Sequence, residues 1–231
     1  MTYQLLPLDP TPGGFDPSKS PSELNEVKAS KGDAPAPPRE RTVLEKHCDF
    51  FDPDGDGVIW PWDTFFGFWV LGYALPICIF AAFAIHIPFS WPTQPHFPIP
   101  DLFWRIYIDR LIKHGSDTGA YDHEGGFDQV AFDKIFKRNA KTRPDALTGR
   151  ELFDLVRRNR VMYDPFGCSA AAFEWLAVYL LLWPADNLFR KDDIKKLYDG
   201  RLFYEVAYMQ KQKGRFTPPG WHATVMGTKK R

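Results

Sequence analysis

The chain has 231 residues, enough for one sizeable domain or two small ones. Its 29 Lys and Arg balance 29 Asp and Glu, and a formal charge of zero argues against nucleic acid as a partner, because phosphate binding needs a basic surplus. Aromatic residues make up 16%, including 20 Phe and 8 Trp, more than a small soluble core requires. Cys48, Cys78 and Cys168 show no paired spacing and read as free thiols in a reducing compartment. The N-terminus, MTYQLLPLDPTPGG, has no basic start followed by an apolar core, so a secretory signal is not expected.

Residues 1–40 hold eight prolines and no hydrophobic period, which predicts a disordered arm. Over 40–51, ERTVLEKHCDFF, the spacing of Leu44, His47, Cys48 and Phe51 predicts a helix with His47 on its apolar face. Spacing alone leaves His47 open as a satisfied core histidine or a ligand. Asp52 to Asp63, DPDGDGVIWPWD, follows and reads as the calcium loop of an EF-hand. Such a loop needs oxygens at its first, third and fifth places, glycine at the sixth for a sharp bend, a backbone carbonyl at the seventh and a carboxylate at the twelfth. Asp52, Asp54, Asp56, Gly57, Val58 and Asp63 meet these needs in turn. Aspartate at the twelfth place is one methylene shorter than the usual bidentate glutamate, which lowers calcium affinity and opens the site to magnesium.

From Thr64 to Pro100 there is no Asp, Glu, Lys or Arg. The run 65–89 is apolar except for His86, long enough to span a membrane or to form a buried core helix, and it carries or precedes Pro76, Pro88 and Pro92. Residues 101–114 read as an amphipathic helix with Phe103, Tyr107, Leu111 and His114 on one face. In AYDHEGGFDQVA (120–131), Gly125 falls on the loop glycine and Phe127 on the place of Ile59, which predicts a degenerate partner hand without its end ligands. If Ile59 and Phe127 pair, both ends of the uncharged stretch lie on one side of any lipid layer. A hairpin bent near the prolines then fits better than a straight span. Thr148 and Glu151 form a capping box for a helix over 145–160, residues 169–183 a core helix, and RKDDIKKLYDGRLFYEVAYMQ two more helices. The last 21 residues hold six basic and no acidic residues, a solvated or lipid-facing tail.

The fold expected is therefore mainly α: an EF-hand pair, one loop intact and one degenerate, with an inserted apolar proline-knot hairpin and a C-terminal helical region. The divisions are an arm (1–40), the hand with its histidine (41–75), the lipid-inserting segment (76–100), the second histidine helix with the degenerate hand (101–140), the helical region (141–210) and the basic tail (211–231). No nucleotide loop, nucleophile elbow, CxxC or HExxH is present.

The strings KHCDFFDPDGDGVIWPWDTFFGFWVLG and KHGSDTGAYDHEGGF, with the proline-rich apolar segment between them, resemble the caleosin family, as do DPFGCSAAAFEW and KDDIKKLYDGRLF. The likeness covers about 41–208 and is that of a fungal-type member. It implies one calcium site, a proline-knot hairpin matched loosely by Pro76, Pro88 and Pro92, and haem b linked to His47 and His114, which are then both cofactor-binding and catalytic. The implied activity is a peroxygenase of oxylipin metabolism, taking oxygen from fatty-acid hydroperoxides to hydroxylate, epoxidise or sulfoxidise acceptors. The implied place is the lipid droplet and the cytosolic face of the endoplasmic reticulum membrane, monotopic, with self-association left open. The alternative is a non-catalytic, calcium-dependent droplet coat or tether; a soluble calcium sensor fits less well, because sensors pair intact loops.

Overall fold

In the computed structural model, residues 41–96, 99–111 and 118–228 are described. The chain is mainly helical and divides into two compact units. One holds the described residues up to Leu111 together with those from Asp199 on; the other runs from Thr118 to Tyr198. The arm expected over 1–40 and the candidate His114 lie outside the described residues.

The first unit opens with α1 (Val43–Cys48). Thr42 and Glu45 close a capping box, the Thr42 N–H donating to Glu45 Oε2 at 2.8 Å and the Glu45 N–H to Thr42 Oγ1 at 3.2 Å. One 3₁₀ turn (Asp49–Phe51) leads into the acidic loop, then β1 (Val58–Ile59) and α2 (Pro61–Val70), with Pro61 in its first turn. The chain reverses at Leu71–Ala74 and runs back as α3 (Leu75–Thr93), which packs on α2. Gly72 has φ +101° at this reversal, a backbone conformation that favours glycine, and the Gln210 amide lies close against it.

The apolar stretch is therefore a helical hairpin, but its bend differs from the expected one. It lies at Gly72, and the segment 76–100 contributes one limb of the hairpin instead of the whole of it. Pro76 sits in the first turn of α3, where its missing N–H costs nothing. Pro88 and Pro92 stand inside the helix, which continues through both, held by its packing on α2. Near its end the Thr93 hydroxyl bonds the carbonyls of Phe89 (2.9 Å) and Ser90 (3.3 Å).

Three further expectations are corrected in this unit. Residues 101–114 do not start as a helix: β2 (Ile106–Tyr107) and a 3₁₀ turn (Ile108–Arg110) take that place. The reason is a period of two, since Ile106 and Ile108 are both buried. The strand of the acidic loop pairs with β2 instead of Phe127, antiparallel, with Val58 opposite Tyr107 and Ile59 opposite Ile106. The residues from 211 on are no loose tail as far as Thr228. After α8 (Arg201–Gln212), a 3₁₀ turn (Pro219–Trp221) and α9 (His222–Val225) bury Trp221, Thr224 and Val225. The fully buried Phe50 ring gathers Phe203, Tyr204 and Trp221 at centroid distances of 5.1–5.5 Å.

In the second unit Phe127 bridges Tyr121 inside its own loop, and Asp122 Oδ1 accepts the N–H groups of Glu124 (2.9 Å) and Gly126 (2.7 Å). Asp128 caps α4 (Gln129–Asn139). Then β3 (Ala146–Thr148) and α5 (Gly149–Arg158) are followed by α6 (Pro165–Leu182), β4 (Leu188–Arg190) and α7 (Lys191–Tyr198). β3 and β4 pair antiparallel with Leu147 opposite Phe189, so this half holds two helix–loop–strand–helix repeats joined at their strands. Neither loop carries alternating carboxylates. Instead Glu151 closes the first from within, accepting the N–H groups of Lys141, Thr142 and Thr148, each at 2.8 Å. Burial pushes the Glu151 carboxyl up, but these donors together outweigh it and hold its pKa at about 2.

A carboxylate held below its ordinary value of 4.5 stabilises the fold above that pH and loses its contribution as pH falls towards about 2. Glu151→Gln should therefore cost about 1 kcal/mol at neutral pH. Thermal melts of the two proteins should converge between pH 4.5 and pH 2; a gap that persists at pH 2 would contradict this role.

Candidate functional site

The acidic loop is shaped by its own carboxylates. Asp52 is fully buried; its Oδ1 accepts the Gly55 N–H at 2.8 Å and its Oδ2 the Gly57 N–H at 3.1 Å. Asp56 Oδ1 accepts the Val58 N–H at 2.7 Å, which hands the chain to β1. Gly57 stands at φ +82° with open space around it, so what it supplies is conformation. Folded this way, Asp52, Asp54 and Asp56 bring ligand oxygens within 4.8 Å of one another. Three carboxylates that close repel unless a cation lies between them, so the donor set fits a hard divalent ion bound by oxygen.

Asp63 lies outside that cluster. Its Oδ2 accepts the Trp60 N–H at 3.0 Å, serving the start of α2. Its pKa is raised to about 7, first by burial and then by the charges of Asp54, Asp52 and Asp56, against the Trp60 N–H, which pulls it down. Val58 lies in β1, where its backbone pairs with Tyr107.

His47 is half-buried in the last turn of α1, edge-on to Phe203 at 4.9 Å and 73°. Behind it α8 begins at Gly200, φ +78°, where a Cβ would stand 2.8 Å from the Lys46 carbonyl and 3.0 Å from His47 Cα. That approach fixes the α1 backbone against α8. Behind that contact Phe50, Phe51 and Phe203 pack on one another in mutual ring contacts of 5.2–5.4 Å.

A third histidine carries more structure than its sequence position suggests. His86, fully buried on α3, places Nδ1 2.5 Å from the Trp104 carbonyl and Nε2 2.7 Å from Thr64 Oγ1. A carbonyl only accepts, so Nδ1 carries the proton and Nε2 accepts from the Thr64 hydroxyl. Burial lowers its pKa to about 4, offset in part by the Trp104 carbonyl, and the ring is neutral at physiological pH. Trp104 holds φ +53°, unusual for a bulky residue, and is braced by the Asp101–Arg105 pair (Nε to Oδ2, 3.0 Å). Through Thr64, the neighbour of Asp63, this imidazole joins the end of the acidic loop to α3 and to the strand that returns from it. A lone histidine in the otherwise apolar run 65–89 was the available signal.

A family profile described as "Caleosin related protein" matches residues 39–207. The chain belongs to the caleosin family. Among its relatives are a peroxygenase of Lilium longiflorum, 38% identical over 70% of this chain and 68% of that one, and probable peroxygenase 4 of Arabidopsis thaliana, 35% identical over 76% and 91%. A probable inactive peroxygenase-like protein of Arabidopsis thaliana is 30% identical over 61% and 67%. No solved structure matches. As a caleosin with peroxygenase relatives, the chain is an enzyme of the oxidoreductase class. In this caleosin, the loop oxygens, His47 and the apolar hairpin all belong to one unit.

His86→Leu should strand the Thr64 hydroxyl and the Trp104 carbonyl and cost about 3 kcal/mol in urea unfolding. His86→Gln, which can donate to one and accept from the other, should recover much of that. Equal stability of His86→Leu and the parent protein would contradict the bridge.

Proposed function

We propose that this caleosin is a calcium-binding, haem-dependent peroxygenase of lipid droplets and the adjoining endoplasmic reticulum membrane. It moves one oxygen from a fatty-acid hydroperoxide to a lipid or related acceptor, leaving the alcohol. The observation that carries the reading is the order of parts within one unit: His47 one turn before the cluster of Asp52, Asp54 and Asp56, and an apolar helical hairpin whose first helix starts within the loop, at Pro61.

His47 and His114 are the imidazoles assigned to haem b, which when bound supplies an iron able to cleave a peroxide O–O bond. One of the two would hold the haem, and the other would serve as acid–base for the peroxide proton. We assign the holding role to His47, because α1 is braced on one side by the loop and on the other by α8.

Asp52, Asp54 and Asp56, the Val58 carbonyl and Asp63 are assigned to calcium. Asp63 must turn from the Trp60 N–H to join, which sets affinity low. Lipid attachment falls to the outer stripe of α3, where Leu75, Ile79, Phe83, Ile87 and Trp91 are exposed on a helix with no charged residue. Pro76, Pro88 and Pro92 belong to this helix. The hairpin tip is held by the protein itself: Arg215 donates to the carbonyls of Trp69 (3.0 Å) and Tyr73 (2.6 Å) and stacks on the Trp69 ring at 4.0 Å. That favours sideways docking on a lipid monolayer, both ends on the aqueous side.

The purified protein should show a Soret band and turn over cumene hydroperoxide; His47→Val should abolish both. A colourless, folded wild type would instead support a non-catalytic coat. Asp63→Glu, whose longer side chain reaches the cluster, should raise calcium affinity about tenfold by calorimetry; an unchanged or lower affinity would contradict the assignment of Asp63.

A further inference from the structure

In the second unit, α6 presents a face that the peroxygenase reading does not use. Its 18 residues contain one charged side chain, Glu174. Phe166, Phe173 and Leu176, with Trp183 just beyond the helix end, are exposed. At 3.6 residues per turn these four fall within about 100° of the helix circumference, and Glu174 falls outside that arc. Ser169 is the polar residue within it, and its hydroxyl bonds the Pro165 carbonyl at 2.9 Å. The helix is long and apolar enough to cross a membrane by length and composition, but one third of it is buried on its own unit.

The segment entering α6 is more exposed still. Met162 and Tyr163 stand 86% and 91% exposed, beside exposed Val161. Directly before them come the exposed Arg157, Arg158 and Arg160. Arg158 bonds Asn139 Oδ1 at 3.2 Å and Arg160 the Arg157 carbonyl at 2.9 Å, neutral partners that leave the positive charge standing. Asp164 caps α6, its Oδ1 accepting the Gly167 N–H at 2.7 Å. An uncharged apolar arc, Tyr163 at one end and Trp183 at the other, with three arginines at the first, has the chemistry of a helix lying in a membrane interface.

We propose that the outer face of α6, with Val161–Tyr163 and the arginines before them, is a second lipid-docking surface, taking a phospholipid layer with anionic headgroups. It extends the lipid attachment proposed above but does not depend on the α3 stripe.

The test uses the full chain and flotation with vesicles of phosphatidylcholine alone or mixed with phosphatidylserine. Met162→Glu with Leu176→Glu should lower partition roughly tenfold on both vesicles. Arg157→Gln with Arg160→Gln should lower it roughly tenfold on the phosphatidylserine vesicles and leave the neutral ones unchanged. All four sites are exposed, so circular dichroism and melting should match the parent. Phe83→Glu with Ile87→Glu on α3 serves as the reference. If the reference variant loses partition while both α6 variants keep it, the α6 proposal is overturned and the hairpin reading stands. If the α6 variants lose partition while the reference keeps it, the α6 surface is supported and the hairpin reading falls. If light scattering shows a dimer that Leu176→Glu splits without changing partition, the occupant is a second copy and the proposal is overturned.

Discussion

Everything in the loop-bearing unit depends on a ladder of two residues. Ile59 and Ile106 face each other across β1 and β2, and the Ile108 N–H adds a bond to the Gly57 carbonyl at 3.0 Å. These isoleucines form a small core with Ile108, against which Cys48, Phe51, Ile85, Phe89 and Leu111 pack. That one cluster joins the helix bearing His47, the bend of the acidic loop, and the middle of α3. Because strands of this length are marginal alone, the ladder survives through the side chains packed on it. Its consequence is topological. The chain leaves the loop, runs out along α2, returns along α3 and is sewn back to the loop it left.

The two faces of α3 do different work. One side buries His86, Ser90 and Thr93 and bonds outward to Thr64, Trp104 and Tyr107; the other exposes bare hydrocarbon. A helix so divided cannot be surrounded by lipid without stripping partners from its polar side, which costs several kcal/mol per group in hydrocarbon. Held at its base by the ladder and at its tip by Arg215, the hairpin leaves one apolar flank exposed. The same restraints keep the acidic loop and the His47 helix at the foot of that flank.

Much of this was legible in the sequence where a rule is local. The glycine and alternating aspartates of the loop, the uncharged stretch and the Thr148–Glu151 box each rest on neighbouring residues, and the chain folds there as those residues dictate. What stayed hidden depends on tertiary competition. Ile106 and Ile108 read as part of a helix because Phe103, Tyr107 and Leu111 also fit a helical spacing; the open edge of β1 decided for a strand. Proline was given the bend, but Gly72 took it, since a positive φ is beyond proline. The strand pair of the second unit was missed because its loops have lost their carboxylates. The remaining signal was slight: Leu147 four residues before Glu151, the same interval as Ile59 to Asp63. The basic composition after residue 211 concealed Trp221 and Val225, whose burial needs the pocket around Phe50 to be known.

The central claim is that the loop and the returning strand lie on the same side of the lipid that α3 touches. It can be tested by replacing Cys48, Cys78 and Cys168 with serine, placing a single cysteine at Asp54 or at Leu102, and treating protein bound to sealed vesicles with a membrane-impermeant maleimide. Both positions should label to completion from outside without detergent. Labelling at one position and protection of the other until detergent is added would mean that the apolar stretch crosses the layer, and would contradict the account.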